Sequence, residues 1–366
     1  MKRVLQIVDS MDAGGIQAFL MNLYRNIDRN KIQFDFLVFK NSKQWYEDEI
    51  IELGGKVIKA PGRKNGIIRC NKYLNNFFKN NNEYEIVHYN VSSLSFISPL
   101  YYAKKYKVEK RIIHSHSSSF IGSNIHRILH VMHKGLIGNL ANIYLSCSEP
   151  ATNWMYGGTS IIDKVELIKN GIDSKKFEFS EENRQKYRDK YGIENYYVIG
   201  QVGRFSEVKN YQFTIKVLSE ILKINSQVKL LFIGDGELKS SIENLVIKNK
   251  LEDFVLFLGN RADVPELMHA MDVLVMPSLY EGFPVTAVEA QAAGLPVIMS
   301  DRITKEVCIN ENVKMLDLEK GEKVWASEIL KRKNRINSID RIKDNGLDIK
   351  TTTEIMENIY ENVGSY

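Results

Sequence analysis

Short apolar runs alternate with stretches whose apolar residues recur every three or four positions, from one end of the chain to the other. Val4–Val8 reads as a continuous apolar run, expected of a parallel strand buried on both faces. IQAFLMNLYRNI follows it at helical spacing. Phe34–Phe39, Lys56–Ile58, Ile86–Tyr89, Arg111–Ile113 and Ile143–Cys147 supply further short strands. Helical stretches lie at Tyr46–Leu53, Ile67–Asn80, Leu94–Tyr106 and Ile125–Ala141. Asn170-Gly171-Ile172-Asp173 is a turn signal; the charged, amphipathic Ser180–Tyr191 follows, and the alternation then begins again. Strands are expected at Val198–Val202, Lys229–Ile233, Val255–Leu258, Val273–Met276, Pro296–Met299 and Val313–Leu316. Helices are expected at Tyr211–Ile224, Leu238–Asn249, Val264–Ala270 and Val285–Ala293. This alternation predicts an α/β protein of two Rossmann-like, doubly wound parallel sheets with helices on both faces of each. The expected domains are residues 1–173 and 174–347, with residues 348–366 as a C-terminal segment carrying a helix over Asp348–Tyr360. Ligands of such sheets bind beyond the C-terminal strand ends.

Composition narrows the class. At 366 residues and 44% hydrophobic, the chain has the material for two ordinary cores. No apolar run approaches the ~20 residues of a membrane span. The N-terminus MKRVLQIVDSMDAGG reaches acidic residues too soon for a signal peptide. Cys70, Cys147 and Cys308 have no motif spacing, and their odd number argues against a disulfide framework. A cytoplasmic chain is expected. The net charge of +5 is unevenly spread: residues 1–173 carry 23 Lys+Arg against 15 Asp+Glu. No acid occurs from Lys110 to Ser148, nor from Leu53 to Asn82. The first half is therefore expected to meet something anionic, a phosphorylated lipid or the inner membrane face. No nucleic-acid recognition motif is present.

The candidate chemistry gathers after the expected strands. Tyr280–Pro296, YEGFPVTAVEAQAAGLP, holds Glu281 and Glu289 on either side of Gly282-Phe283-Pro284. Pro284 suits the first turn of a helix, where a missing N–H costs nothing, and Gly294 with Pro296 stops that helix. Glu281 is then in the loop before a helix N-terminus, and Glu289 is inside the helix. The N–H groups of Phe283, Val285 and Thr286 make that terminus an anion site. The carboxylates beside it suit sugar hydroxyls better than phosphate, although the stretch alone also fits a capped surface helix. GQVGRFSEVKN places Arg204 and Lys209 on one loop after a strand, a fork and a point charge suited to clamping a diphosphate. No Asp-x-Asp accompanies them, so a metal-free site is expected. Asp9–Gly15 joins the first strand to the first helix, and Gly14-Gly15 permits close backbone approach to a ligand. It lacks the spacing of a dinucleotide loop.

Five of the seven histidines lie between His114 and His133. His114 and His116, two apart at a strand end, share a face and suit substrate positioning better than proton transfer. His126, His130 and His133 fall on one helical face. No Asp, Glu or Cys joins them, and Arg127 and Lys134 are neighbours, so a basic, partly apolar surface helix is expected there and not a metal site.

E-x-G-x-P followed by E at this spacing, then A-x-G-x-P-V-I, with G-R-x(4)-K over Gly203–Lys209, resembles the retaining glycosyltransferases of family 4. These are two-domain GT-B enzymes. The resemblance implies two domains facing a cleft, with Asp348–Tyr360 packing back on the first. It implies that Arg204 and Lys209 hold the leaving nucleotide diphosphate, that Glu281 contacts the transferred sugar, and that Glu289 bonds the ribose hydroxyls. Gly282, Phe283, Pro284 and Val285 would meet phosphate or sugar oxygens, and Gly14 and Gly15 would lie near them. Leu258–Arg261, with Gly259 and Arg261, would border the base, and Gly234–Glu237 resembles a further turn of the family. A histidine near the donor sugar matches His116 first and His114 second. No cofactor is implied; the donor is a nucleotide sugar, expected to be UDP-linked. The acceptor is expected to be a lipid-linked saccharide of capsule or exopolysaccharide assembly. A nucleotide-sugar epimerase and a non-catalytic nucleotide-sugar-binding subunit are the rival readings. Incubation with donor alone tests the first rival, and turnover with acceptor tests the second.

Overall fold

Thirteen strands form two parallel sheets, seen in a computed structural model that describes residues 1–63, 66–119, 123–331 and 334–361. One unit comprises Met1–Gly171 together with the segment from Ile349, and the other comprises Ile172–Asp348. In the first unit the strands are β1 (Lys2–Val8), β2 (Ile32–Val38), β3 (Val57–Lys59), β4 (Ile86–Val91), β5 (Lys110–Ser115), β6 (Ile143–Ser146) and β7 (Val165–Leu167). They lie in the order β3-β2-β1-β4-β5-β6-β7. Alternate residues of β1 feed opposite cores: Leu5 and Ile7 pack with Leu74, Phe77 and Met155, whereas Val4 and Val8 pack with Phe19, Phe34 and Tyr360. That is the period-2 geometry of a sheet covered on both faces.

The second unit holds β8 (Tyr197–Val202), β9 (Val228–Ile233), β10 (Val255–Gly259), β11 (Val273–Met276), β12 (Val297–Ser300) and β13 (Val313–Leu316). Their order is β10-β9-β8-β11-β12-β13. In each sheet the winding reverses once, between β1 and β4 and between β8 and β11. A doubly wound sheet opens a ligand crevice at such a point.

Several local expectations are corrected. The apolar run of β1 is interrupted by Gln6, which is fully buried. The helix expected from Leu94 begins at Ser98, because Pro99 has no N–H to bond the carbonyl four residues back, and so fits the first turn of a helix but not its interior. Leu94 and Phe96 are buried from the preceding loop instead. The strand β7 and the helix Glu149–Tyr156 were not expected. The latter carries readable signals, a Ser148 side chain accepting from the Ala151 N–H and Pro150 in its first turn. Pro284 sits at the N-cap, one residue before the helix Val285–Ala292.

The C-terminal helix Ile349–Glu361 packs on the helix Gly15–Asn26 and buries Met356, Ile359 and Tyr360. Lys110 Nζ donates to the carbonyls of Ile359 and Tyr360, both at 2.8 Å, and Lys2 Nζ to that of Glu361 at 2.8 Å. Two cations thus meet the negative end of the helix dipole.

Candidate active site

The second sheet's reversal point gathers most of the expected donor residues. The loop after β8 and the loop after β11 are tied by Leu279 N–H to Val208 O at 2.8 Å and by Asn210 Nδ2 to Pro277 O at 3.1 Å. Gln201 Nε2 donates to Lys209 O at 2.8 Å, and Tyr211 Oη donates to Gly203 O at 2.6 Å. Across this junction Lys209 Nζ reaches Glu281 Oε1 at 2.6 Å, with both side chains largely buried. Gly282, Phe283, Pro284 and Val285 are buried behind Glu281 and lead into the helix Val285–Ala292. The first N–H groups of such a helix have no partner within it.

Glu289 lies one turn inside that helix. The residue is partly exposed, yet enclosure by protein pushes its carboxyl up to about 7, with the Lys209 charge pulling the other way. Lys209 therefore acts on both carboxylates, on Glu281 by direct contact and on Glu289 through its charge. Arg204 stands apart from them: the guanidinium is exposed and pairs with exposed Glu237 at 2.9 Å. Gly259 closes β10 with φ +67° and accepts from Gly234 N–H at 2.8 Å. Arg261 is held by Asp263 at 2.7 Å on that outer strand's loop. Gly234 has φ +135°, and a Cβ there would come within 2.0 Å of the Gly203 carbonyl. That turn is therefore packed against the loop that carries Arg204 and Lys209.

In the first unit, Gly14 precedes the helix Gly15–Asn26 after β1. A Cβ on Gly15 would meet no protein atom within 4 Å. Phe19 of that helix lies 5.4 Å, centroid to centroid, from both His114 and His116, whose own rings are 4.0 Å apart. The shared face expected for the pair is present. Burial lowers His116 to about 3 and holds His114 well below its ordinary value, so both rings are neutral.

The other three histidines do not converge. His130 stacks on Trp154, accepts from Leu94 N–H at 3.0 Å and donates to Trp154 O at 3.2 Å. His133 donates to Leu94 O at 2.6 Å, and His126 pairs with Ser123. Among the described residues no group of three His, Cys, Asp or Glu side chains is arranged to hold a metal.

Gln6, His88, Asn90 and Tyr360, which hydrogen-bond to one another and to the His114–His116 pair, escaped the sequence reading. Their signal was present: polar residues at strand positions otherwise filled by apolar ones, VLQIV in β1 and IVHYNV in β4.

The fold and this arrangement define a two-domain GT-B protein. HepE of Anabaena in complex with UDP and glucose has a TM-score of 0.80 over 99% of this chain and all of its own, at 18% identity. The glycosyl transferases group 1 family model matches residues 183–323. A glycosyltransferase named EpsF from Bacillus subtilis is 36% identical over 336 residues, 90% of this chain and 87% of its own. The capsular polysaccharide biosynthesis glycosyltransferase CapH of Staphylococcus aureus is 26% identical over 98% of this chain and 99% of its own. The chain belongs to the group 1 glycosyltransferases.

Proposed function

We propose that this chain is a retaining, metal-independent transferase of family 4 that moves a hexose from a UDP-sugar to a lipid-linked saccharide during capsule or exopolysaccharide assembly. The observation that carries the reading is the Lys209–Glu281 pair at the second sheet's reversal point, with Glu289 behind it and a helix N-terminus beside it. Lys209 and the helix N–H groups meet the diphosphate, Glu281 the sugar hydroxyls, and Glu289 the ribose. The exposed Arg204–Glu237 pair is worth about 0–1 kcal/mol, so Arg204 is released to a diphosphate at little cost. As the anomeric C–O bond to the diphosphate breaks, these positive groups stabilise the charge on the leaving oxygens. The acceptor hydroxyl bonds to the anomeric carbon on the same face and passes its proton to the departing diphosphate. His116 and His114 hold a sugar hydroxyl.

Support for the donor comes from HepE, solved with UDP and glucose, and for the pathway from the name of CapH. Support for a lipid acceptor comes from the basic first unit. No described helix is long and apolar enough to cross a membrane, but Ile125, Ile128, Val131 and Met132 of the helix Asn124–Leu140 are each more than half exposed. Their neighbours Arg127 and Lys134 suit an anionic lipid surface.

A thermal-shift panel with UDP, GDP, ADP and NAD on wild type and Glu289→Ala tests the reading. UDP at 100 times its Kd should add about 2.7 kcal/mol of apparent stability, and less in the variant. A shift with NAD alone, or with no nucleotide, overturns the assignment. Anomeric NMR of the product then tests retention, and an inverted linkage overturns it.

A further inference from the structure

One backbone carbonyl fixes the proton positions of a buried side-chain network in the first unit. The register places Gln6 opposite His88 and Asn90 opposite His114 across β1, β4 and β5. Asn90 Nδ2 donates to His88 O at 3.2 Å, so the remaining amide atom of Asn90, Oδ1, is an acceptor. His116 Nε2, 2.9 Å from that oxygen, therefore carries the ring proton, and His116 Nδ1 is a bare lone pair.

The second branch follows from the same amide. Asn90 Nδ2 also donates to Gln6 Oε1 at 3.0 Å, so Gln6 Nε2 donates to Tyr360 Oη at 3.0 Å. The Tyr360 hydroxyl proton then turns to His88 Nδ1, 2.7 Å away. His88 holds its own proton on Nε2 and donates it to His114 Nδ1 at 3.2 Å. The His114 proton is thereby placed on Nε2. Among the described residues neither His114 Nε2 nor His116 Nδ1 has a hydrogen-bond partner. Leaving such atoms unpaired inside a protein is costly, which points to a ligand atom that satisfies them.

We propose that Tyr360 of the C-terminal helix is a positioning residue: acting through His88, it makes His114 a donor beside His116, an acceptor, and the pair takes a sugar hydroxyl. A hydroxyl is the neutral group that both donates and accepts. It gives its proton to His116 Nδ1 and accepts from His114 Nε2–H. A carboxylate or phosphate oxygen would face the bare His116 lone pair. This inference rests on the reading above that the histidine pair meets the sugar.

The test is 15N–13C histidine NMR on the full chain at pH 7, which distinguishes Nε2–H from Nδ1–H rings. Wild type should show His88, His114 and His116 all as Nε2–H. In Tyr360→Phe, His88 and His114 should populate Nδ1–H while His116, set through Asn90, stays unchanged. Wild-type His114 found as Nδ1–H, or left unmoved in a folded Tyr360→Phe, overturns the relay; if the variant does not fold, the wild-type spectrum decides. Calorimetry with UDP and with UDP-glucose, UDP-galactose and UDP-N-acetylglucosamine separates the sugar reading from the relay. The UDP-sugar bound most tightly should lose about tenfold in Kd in Tyr360→Phe, with UDP unchanged, as expected for about 1.4 kcal/mol of one hydrogen bond. Saturating UDP-sugar that leaves the wild-type His114 and His116 resonances unmoved overturns the sugar contact even where the tautomers are as stated.

Discussion

Glu289 shows how a single residue couples stability to pH. Its folded carboxyl titrates near 7 against an ordinary 4.5, so the folded chain keeps a proton that the unfolded chain has lost. Stability therefore falls as pH climbs from about 4.5 to about 7, and the penalty is complete above 7. Glu289→Gln should raise Tm at pH 8 and leave it unchanged at pH 4; melting curves across that range decide it. Lys209 and Glu281 form the complementary case. Removing Lys209 takes the opposite charge away from largely buried Glu281, at a cost of about 1–3 kcal/mol. Lys209→Met should lose that much in urea unfolding, and adding Glu281→Gln should restore part of it, a coupling that a double-mutant cycle reads directly. Both residues were legible as candidates, because each follows an apolar run and flanks a turn. Their mutual contact was not, since they stand 72 positions apart.

At the scale of elements, boundaries followed local chemistry closely. Gly294 has φ +67°, and its N–H bonds to Gln291 O while that of Leu295 bonds to Ala290 O. These are the paired bonds of a Schellman stop. An added Cβ would also meet Ile336 O at 3.1 Å. Gly294→Ala should therefore cost about 1–2 kcal/mol, read by chemical denaturation. The helix Asn124–Leu140 was legible as amphipathic and basic, but the division of labour on it was not. His130 is turned inward onto Trp154, and burial lowers it to about 4, whereas Ile128 and Met132 face solvent. Ile128→Glu with Met132→Glu should abolish flotation with anionic phospholipid vesicles while leaving Tm and UDP binding intact; undiminished flotation would remove this helix from the membrane proposal.

At the scale of the molecule, the first unit's stability draws on a distant part of the chain. Ending the chain at Asp348 would strip Met356, Ile359 and Tyr360 from the first unit, at about 1.5–3 kcal/mol for each side chain, and leave buried Lys110 without its carbonyls. A domain's net stability is only about 5–15 kcal/mol, so the truncated chain should show early, non-cooperative melting of the first unit. Acid should act there too. His88, His114, His116 and His130 are held neutral by burial, whereas the unfolded chain protonates them near 6.5. Stability is then full above pH 6.5 and falls below it, by up to about 1.4 kcal/mol per pH unit for each ring. A flat Tm between pH 7 and 5 would contradict that neutrality.

By itself the sequence determined the alternation of strands and helices, the two doubly wound sheets, the loops that carry Arg204, Lys209 and Glu281, and the helix that carries Glu289. Hydrophobic period, caps and breakers are local, and they act within a few residues. Only the tertiary structure decided strand order, and with it which loops meet at a reversal point. Only it showed Gln6, His88, Asn90 and Tyr360 to be one network, because register between β1, β4 and β5 and the docking of a helix some 250 residues further on are set by packing across the whole unit. A buried polar side chain must find its partner wherever the fold brings one, and no local pattern records where that is.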